Sequence, residues 1–294
     1  MRVTYKEGFM ILKSGIPGPI FIAPHSSMSL VSLSRGDTCS ELIASWLVKR
    51  FGGTAFISTI PRSGAHGVDF FREPASLKEA AKMFSNMEDH DARMQFERKY
   101  AFFSKDEEEY LEKANIYNQF WTSAKTLSPK GSLFVILHAQ SMRMKNFPSL
   151  LDVITLDGKW INEDIVKEVV KNVNEKFASL FFNLNDDIKY YALSWAKIWL
   201  RNSILRSSNE LVNVRGSLRE NMELDIARAC DILGIEKKFL KDITWNEYIG
   251  LIEKSMANTQ FCVTYQRNFN GSKGAYTIKN LLDFCGGEAI SLEL

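Results

Sequence analysis

The stretch that decides the fold is Ile20-Phe21-Ile22-Ala23-Pro24-His25-Ser26-Ser27. An apolar run of strand length stops at a proline, and a histidine follows at its C-terminal end. The same grammar returns in Leu133-Phe134-Val135-Ile136-Leu137-His138. Between the two lies Asp37 to Phe51, where Leu42, Ile43, Trp46, Leu47 and Phe51 recur at helical spacing and Gly52-Gly53 supplies a stop. Thr54 to Ser58 then reads as a strand, and Asp106 to Leu127 as a long helix closed by Ser128-Pro129-Lys130-Gly131. The acidic start of that helix, Asp106 to Glu109, suits the helix dipole and needs no ligand. Phe261 to Tyr265 and Ala289 to Leu292 are further strand candidates. This alternation predicts an α/β fold with a mixed, largely parallel central sheet flanked by helices.

From about Trp160 to Asn258 the pattern turns helical. Ile165, Val169, Val170, Val173, Phe177 and Leu180 form one amphipathic stripe, and Tyr191, Trp195, Ile198, Trp199 and Leu205 extend a second. Met222 to Leu233 and Trp245 to Met256 supply two more. The Trp195/Trp199 pair is read as core, since an aromatic stripe at helical spacing more often packs than binds. Residues 1–158 and 259–294 are therefore expected to form the α/β core, with 159–258 a large helical insertion packed on the same domain.

Composition sets the outer bounds. The chain has 294 residues, 45% apolar and 24% charged, enough to bury a core of its own without disulfides. A formal charge of +2 argues against nucleic acid as a partner. The longest apolar runs are about six residues, far short of the ~20 that span a bilayer, so no membrane partner is expected. Charged residues near the N-terminus do not suit a signal peptide, and four scattered cysteines without a C-x-x-C pair fit a reducing compartment. The expected location is the cytoplasm.

Only four histidines exist, and two of them, His25 and His138, end predicted core strands. If those strands are parallel, both imidazoles face the crevice beyond the strand C-termini, where open α/β sheets bind ligands. Two imidazoles and a carboxylate are a Zn²⁺ ligand set that leaves a position open for water. Asp37 and Glu41 both qualify as the carboxylate, because i,i+4 spacing puts them on one face at the start of the first helix. An N-cap role is the alternative for Asp37. Arg62 and Arg72 lie past the strand Thr54 to Ser58 and offer guanidinium groups for a substrate carboxylate, although Asp69 and Arg72 also read as an ion pair bracing a loop. His66 is undecided, and His90 is expected on a solvated face.

Taken together, these motifs resemble the N-formylglutamate amidohydrolase family. That family has a Pro-His-Ser-Gly turn after its first strand and then a helix opening Asp-x-x-Thr-Asp-x-Leu-Ala. Gly-Ala-Thr, a strand ending in Ser-Arg, and Asp-Leu-Asn-Arg follow. Here Pro24-His25-Ser26-Ser27, Asp37-Thr38-Cys39-Ser40-Glu41-Leu42-Ile43-Ala44, Gly52-Gly53-Thr54, Pro61-Arg62 and Asp69-Phe70-Phe71-Arg72 stand in the same order. His138-Ala139-Gln140-Ser141-Met142 is similar to the family's His-Ser-Met with two residues added. Lys273-Gly274-Ala275-Tyr276-Thr277-Ile278-Lys279 is similar to Gly-Gly-Tyr-x-Thr-Arg, and Ala289 to Leu294 to Ala-Leu-Gln-Leu-Glu-Leu.

The resemblance implies a fold like that of zinc carboxypeptidases and one divalent ion, Zn²⁺ by family, held by His25, Glu41 (with Asp37 as rival) and His138. It implies Glu293 as the carboxylate that activates water, with Arg62 beside it in catalysis. Arg62 and Lys279 are then expected at the substrate carboxylate, with Arg72 and Ser26 as further substrate contacts. The expected activity is hydrolysis of an N-acyl amino acid or a related small amide. A carboxypeptidase, or a binding protein on a hydrolase scaffold, are the competing readings.

Overall fold

The computed structural model describes residues 1–26, 37, 39–63, 66–84, 86, 89–140, 144–202, 216–237 and 243–294. The chain is α/β, and it divides into two compact units. One comprises Met1–Ala139, Val153–Val166 and Phe269–Leu294, and the other Gln140–Asp152 and Lys167–Asn268. No helix among the described residues is long and apolar enough to cross a membrane.

The first unit is built on a mixed sheet. Its parallel centre is β3 (Ile20–Ala23), β4 (Thr54–Ser58), β5 (Leu133–His138) and β8 (Glu288–Glu293). Ile20 faces Thr54 on one side and Phe134 on the other, and Leu133 faces Glu288. An antiparallel hairpin, β1 (Arg2–Lys6) and β2 (Phe9–Lys13), adds to β4, giving the order β1-β2-β4-β3-β5-β8. Neither hairpin strand was expected from the sequence.

Side-chain alternation along these strands feeds two cores. Ile20, Ile22, Phe56, Phe134, Ile136 and Ala289 point to one face, against α4 (Glu107–Leu127) and α9 (Ala275–Cys285). Phe21, Ala23, Ala55, Ile57, Val135 and Leu137 point to the other, against α1 (Ser40–Phe51). The α4 side centres on Phe120, which is fully buried, stacks on Phe70 at 4.2 Å and meets Phe9 edge-on at 5.2 Å. Asp106 caps α4 by accepting from the Glu109 backbone N–H at 2.8 Å.

The helix α1 differs from expectation. Its buried residues are Ser40, Ala44 and Val48, with Ile43 and Leu47 packed at the edge, while Leu42, Trp46 and Phe51 are exposed. Small side chains let the helix approach the sheet closely, so the broad residues end up outside. The glycine stop holds: Gly52 and Gly53 have φ of 78° and 87°, and a Cβ on Gly53 would lie 1.9 Å from the Pro19 carbonyl oxygen.

Around α4 the first unit also carries α2 (Leu77–Phe84) and α3 (His90–Lys99), the latter capped by Asp89. The second unit holds α6 (Ala178–Asn202), α7 (Gly216–Leu233), α8 (Trp245–Ala257) and most of α5 (Glu163–Lys176). It also takes β7 (Cys262–Tyr265) and most of β6 (Ser149–Ile154), whereas residues 159–166 of the expected insertion 159–258 belong to the first unit. Its core joins Ile188 and Ala192 of α6, Met222 and Ile226 of α7, and Tyr248 and Ile252 of α8. The capping box of α8 pairs Thr244 with Glu247.

Along α5 the buried residues are Val166 and Val170, whereas Ile165 and Val169 of the expected stripe are exposed, as are Phe177 and Leu180 beyond them. The side chains of Trp195, Ile198 and Trp199, and the whole of Leu205, lie outside the described residues. So do Ser27, Ser141, Met142 and the His90 side chain.

Replacing Phe120 by alanine should destabilise the first unit by about 3–5 kcal/mol, the usual cost of an unfilled aromatic core site. Urea unfolding followed by circular dichroism measures it. A change below about 1 kcal/mol would show that the aromatic cluster does not hold the sheet to α4.

Candidate metal centre

Three elements converge beyond the C-terminal ends of the parallel strands. The first is the turn after β3, where Ser26 donates its hydroxyl to the Ser58 carbonyl at 2.7 Å and so ties the turn to the end of β4. That turn carries His25. The second is the approach to α1, where the Asp37 N–H donates to the His25 carbonyl at 2.7 Å. The third is the end of β5, which delivers His138.

The three side chains meet. Asp37 Oδ2 lies 2.9 Å from His138 Nδ1 and 3.3 Å from His25 Nδ1, and the two imidazole rings are 4.8 Å apart. All three residues are buried, and their potential ligand atoms lie within 4.8 Å of one another. Glu41 is not in this group. The first turn of α1 begins at Ser40, after Cys39 turns the backbone with φ of 72°, so Asp37 lies outside the helix rather than one helical turn before Glu41. The i,i+4 argument therefore does not apply, and Asp37 is not the helix cap either, because Cys39 holds that position without a side-chain bond.

Behind His25 stands Asp69. Its Oδ1 is 2.7 Å from His25 Nε2 and also accepts the Phe71 N–H at 3.0 Å, while its Oδ2 is 3.0 Å from Arg72 Nε. The Asp69–Arg72 pair expected as a loop brace is thus present, and the same carboxylate orients a histidine. With Nε2–H given to Asp69, the His25 Nδ1 is the nitrogen left to face Asp37 and His138. Carboxylate–histidine pairs of this kind orient metal-bound imidazoles. His138 Nε2 is buried with no hydrogen-bond partner among the described residues, a state that costs free energy unless something else occupies the group. Two imidazoles and one carboxylate, already gathered and desolvated, fit a borderline cation such as Zn²⁺.

The charges are tightly linked. Burial works against an imidazolium at His25, but the negative charge of Asp69 and hydrogen bonds to Asp37 and Asp69 outweigh it and push the pKa up to about 9. Burial likewise opposes ionisation of Asp37, yet hydrogen bonds from His138 and His25 hold it well below the usual carboxylate range. Asp69, also opposed by burial, is held down to about 2 by His25 first and then Arg72 and Arg62.

The other expected residues fall as follows. Arg62 is at the site, its Nη1 3.4 Å from His25 Nδ1 and 3.7 Å from Asp37 Oδ1. Arg72 is engaged by Asp69 and by the Glu97 carbonyl. Glu293 is the register partner of His138 on β8, so both side chains leave the same face of the sheet. The hydroxyl of Ser26 is committed to backbone carbonyls, and Lys279 and His66 are exposed.

Glu41 keeps one buried oxygen without a partner among the described residues. The contribution of Phe71 was not foreseen. Phe71 meets His138 edge-on, ring centroids 4.7 Å apart, and rests against Gly274, where a Cβ would lie 2.0 Å from the ring. Thr277 also donates to the Phe71 carbonyl at 3.0 Å. Lys273, the exposed residue just before Gly274, has its pKa pushed down by desolvation and then by repulsion from Arg72, partly offset by Asp69.

In metal-free protein the raised pKa of His25 ties stability to a bound proton. The contribution is complete below about 6.5, the unfolded value, and is lost as pH rises through about 9. The melting temperature in chelator, by scanning calorimetry, should therefore fall across that window, and Asp69→Asn should flatten the fall. An unchanged slope in Asp69→Asn would mean that Asp69 does not hold the His25 proton. No family model, curated protein or solved structure matches the chain, so its resemblance to N-formylglutamate amidohydrolases rests on the residues quoted above.

Proposed function

We propose that the chain is a metal-dependent amidohydrolase acting on an N-acyl amino acid or a related small amide. One observation carries the reading: His25, Asp37 and His138 gather in a buried cluster beyond the parallel strands, with Asp69 orienting the first histidine. His25, Asp37 and His138 would hold the ion, and Zn²⁺ is best matched to that set. When bound, a divalent cation supplies Lewis-acid activation of water and of an amide carbonyl.

The remaining chemistry belongs to side chains. Glu293, beside His138 in the sheet register, takes the proton of the attacking water and delivers it to the leaving amine nitrogen. Arg62 brings positive charge to one side of the cluster and binds the carboxylate of an amino acid, fixing the amide bond in place. The ring of Phe71 covers part of His138 and keeps that side dry.

Elemental analysis of purified protein tests the reading without a known substrate. About one equivalent of zinc is expected, as the single such cluster among the described residues implies, and it should be lost in His25→Ala, Asp37→Ala and His138→Ala. Metal content unchanged in all three would remove the proposal. Glu293→Gln separates chemistry from binding: hydrolysis of formyl- or acetyl-amino acids should drop about a hundredfold or more while zinc stays. Loss of zinc with activity would mean that Glu293 acts on the metal site rather than on the proton. Short peptides assayed alongside distinguish a carboxypeptidase.

A further inference from the structure

Arg62 stands in an unusual place for a substrate-binding arginine. Its guanidinium faces the atoms that the metal reading needs, with Nη1 3.4 Å from His25 Nδ1 and 3.7 Å from Asp37 Oδ1. The side chain is only about one-third exposed, 34%, so part of its charge is desolvated against the cluster. A cation ligated by Asp37 takes the carboxylate that Arg62 faces, and two positive charges held that close repel strongly in a buried setting. Arg62 and a divalent ion therefore compete for Asp37.

We propose that Arg62 is a resident counter-charge at the Asp37 carboxylate, added to the two histidines that already bond it, and that it must withdraw for an ion to bind there. This inference rests on the metal-site reading of the cluster. Withdrawal also connects loading to substrate capture, because the guanidinium released from Asp37 becomes the one free to take a substrate carboxylate. The arrangement lowers metal affinity below what the ligand set alone would give, which makes the site loadable and unloadable rather than permanently filled. Arg72 serves as a natural contrast, since its guanidinium is turned to Asp69 and the Glu97 carbonyl instead of to the ligand atoms.

Zinc affinity measured by competition with a chromogenic chelator tests this on whole protein, with no turnover needed. Arg62→Met and Arg62→Gln should each bind zinc at least about tenfold more tightly than wild type. Arg72→Met, which loosens the Asp69 support of His25, should not tighten it. In chelator, both Arg62 variants should melt lower than wild type, because Asp37 loses one of the positive groups around it, and the melting shift on adding zinc should be larger.

If wild type binds zinc while both Arg62 variants bind it equally or more weakly, the inference falls and the metal site stands. If neither wild type nor the Arg62 variants bind zinc, the metal reading and the inference fall together. Equal tightening by Arg72→Met would also overturn the inference, since net charge rather than the position of Arg62 would then set the affinity.

Discussion

A single carboxylate oxygen, Asp37 Oδ2, is shared by two buried imidazoles, and most of the first unit is arranged so that this is possible. A desolvated carboxylate is costly unless positive or donating groups surround it. Here the surroundings come from separate parts of the chain: the turn after β3, the end of β5 and the loop that carries Arg62. Each is fixed by bonds of its own. Ser26 is tied to Ser58, Asp37 to the His25 carbonyl, and Asp69 to the Phe71 N–H and Arg72. The polar network is thus supported by parallel-strand register beneath it and by backbone bonds around it, which gives it one geometry.

The sheet explains why the groups meet at one end. In parallel strands all C-termini point the same way, so β3 and β5, in register from Ile20 with Phe134, open into one crevice. The β8 partner adds Glu293 at the same level as His138. The helices then split the work. The α4 and α9 side supplies the aromatic mass around Phe120, and the α1 side keeps small residues against the sheet.

Much of this was legible because strand signals were strong where both faces are buried. Ile20 to Ala23 and Thr54 to Ser58 are continuous apolar or β-branched runs, and the strands have those bounds. The β1 strand, almost wholly exposed, has no such pattern, and its hairpin was missed. Periodicity located α1 but not its buried side, since a period says nothing about whether small or large residues face the sheet. The choice between Asp37 and Glu41 turned on the backbone of Cys39, a left-handed residue that propensity would not place there. Asp69 as the partner of His25 bridges 44 residues of sequence, a separation that local reading does not reach.

The order of the strands along the chain has a kinetic consequence. The core strands β5 and β8 are neighbours in space, yet the whole second unit is inserted between them in sequence. During synthesis β5 emerges with one edge unpaired, and it stays so until β8 is made. The interval is long enough for the second unit to form its own core around α7 and α8 first. Closing so distant a pair makes folding slow more than it makes the fold weak, because loop-closure entropy grows only logarithmically with length. The polar cluster can assemble from the turn after β3, the approach to α1 and the end of β5 before β8 arrives, so ligand gathering precedes completion of the sheet that carries Glu293.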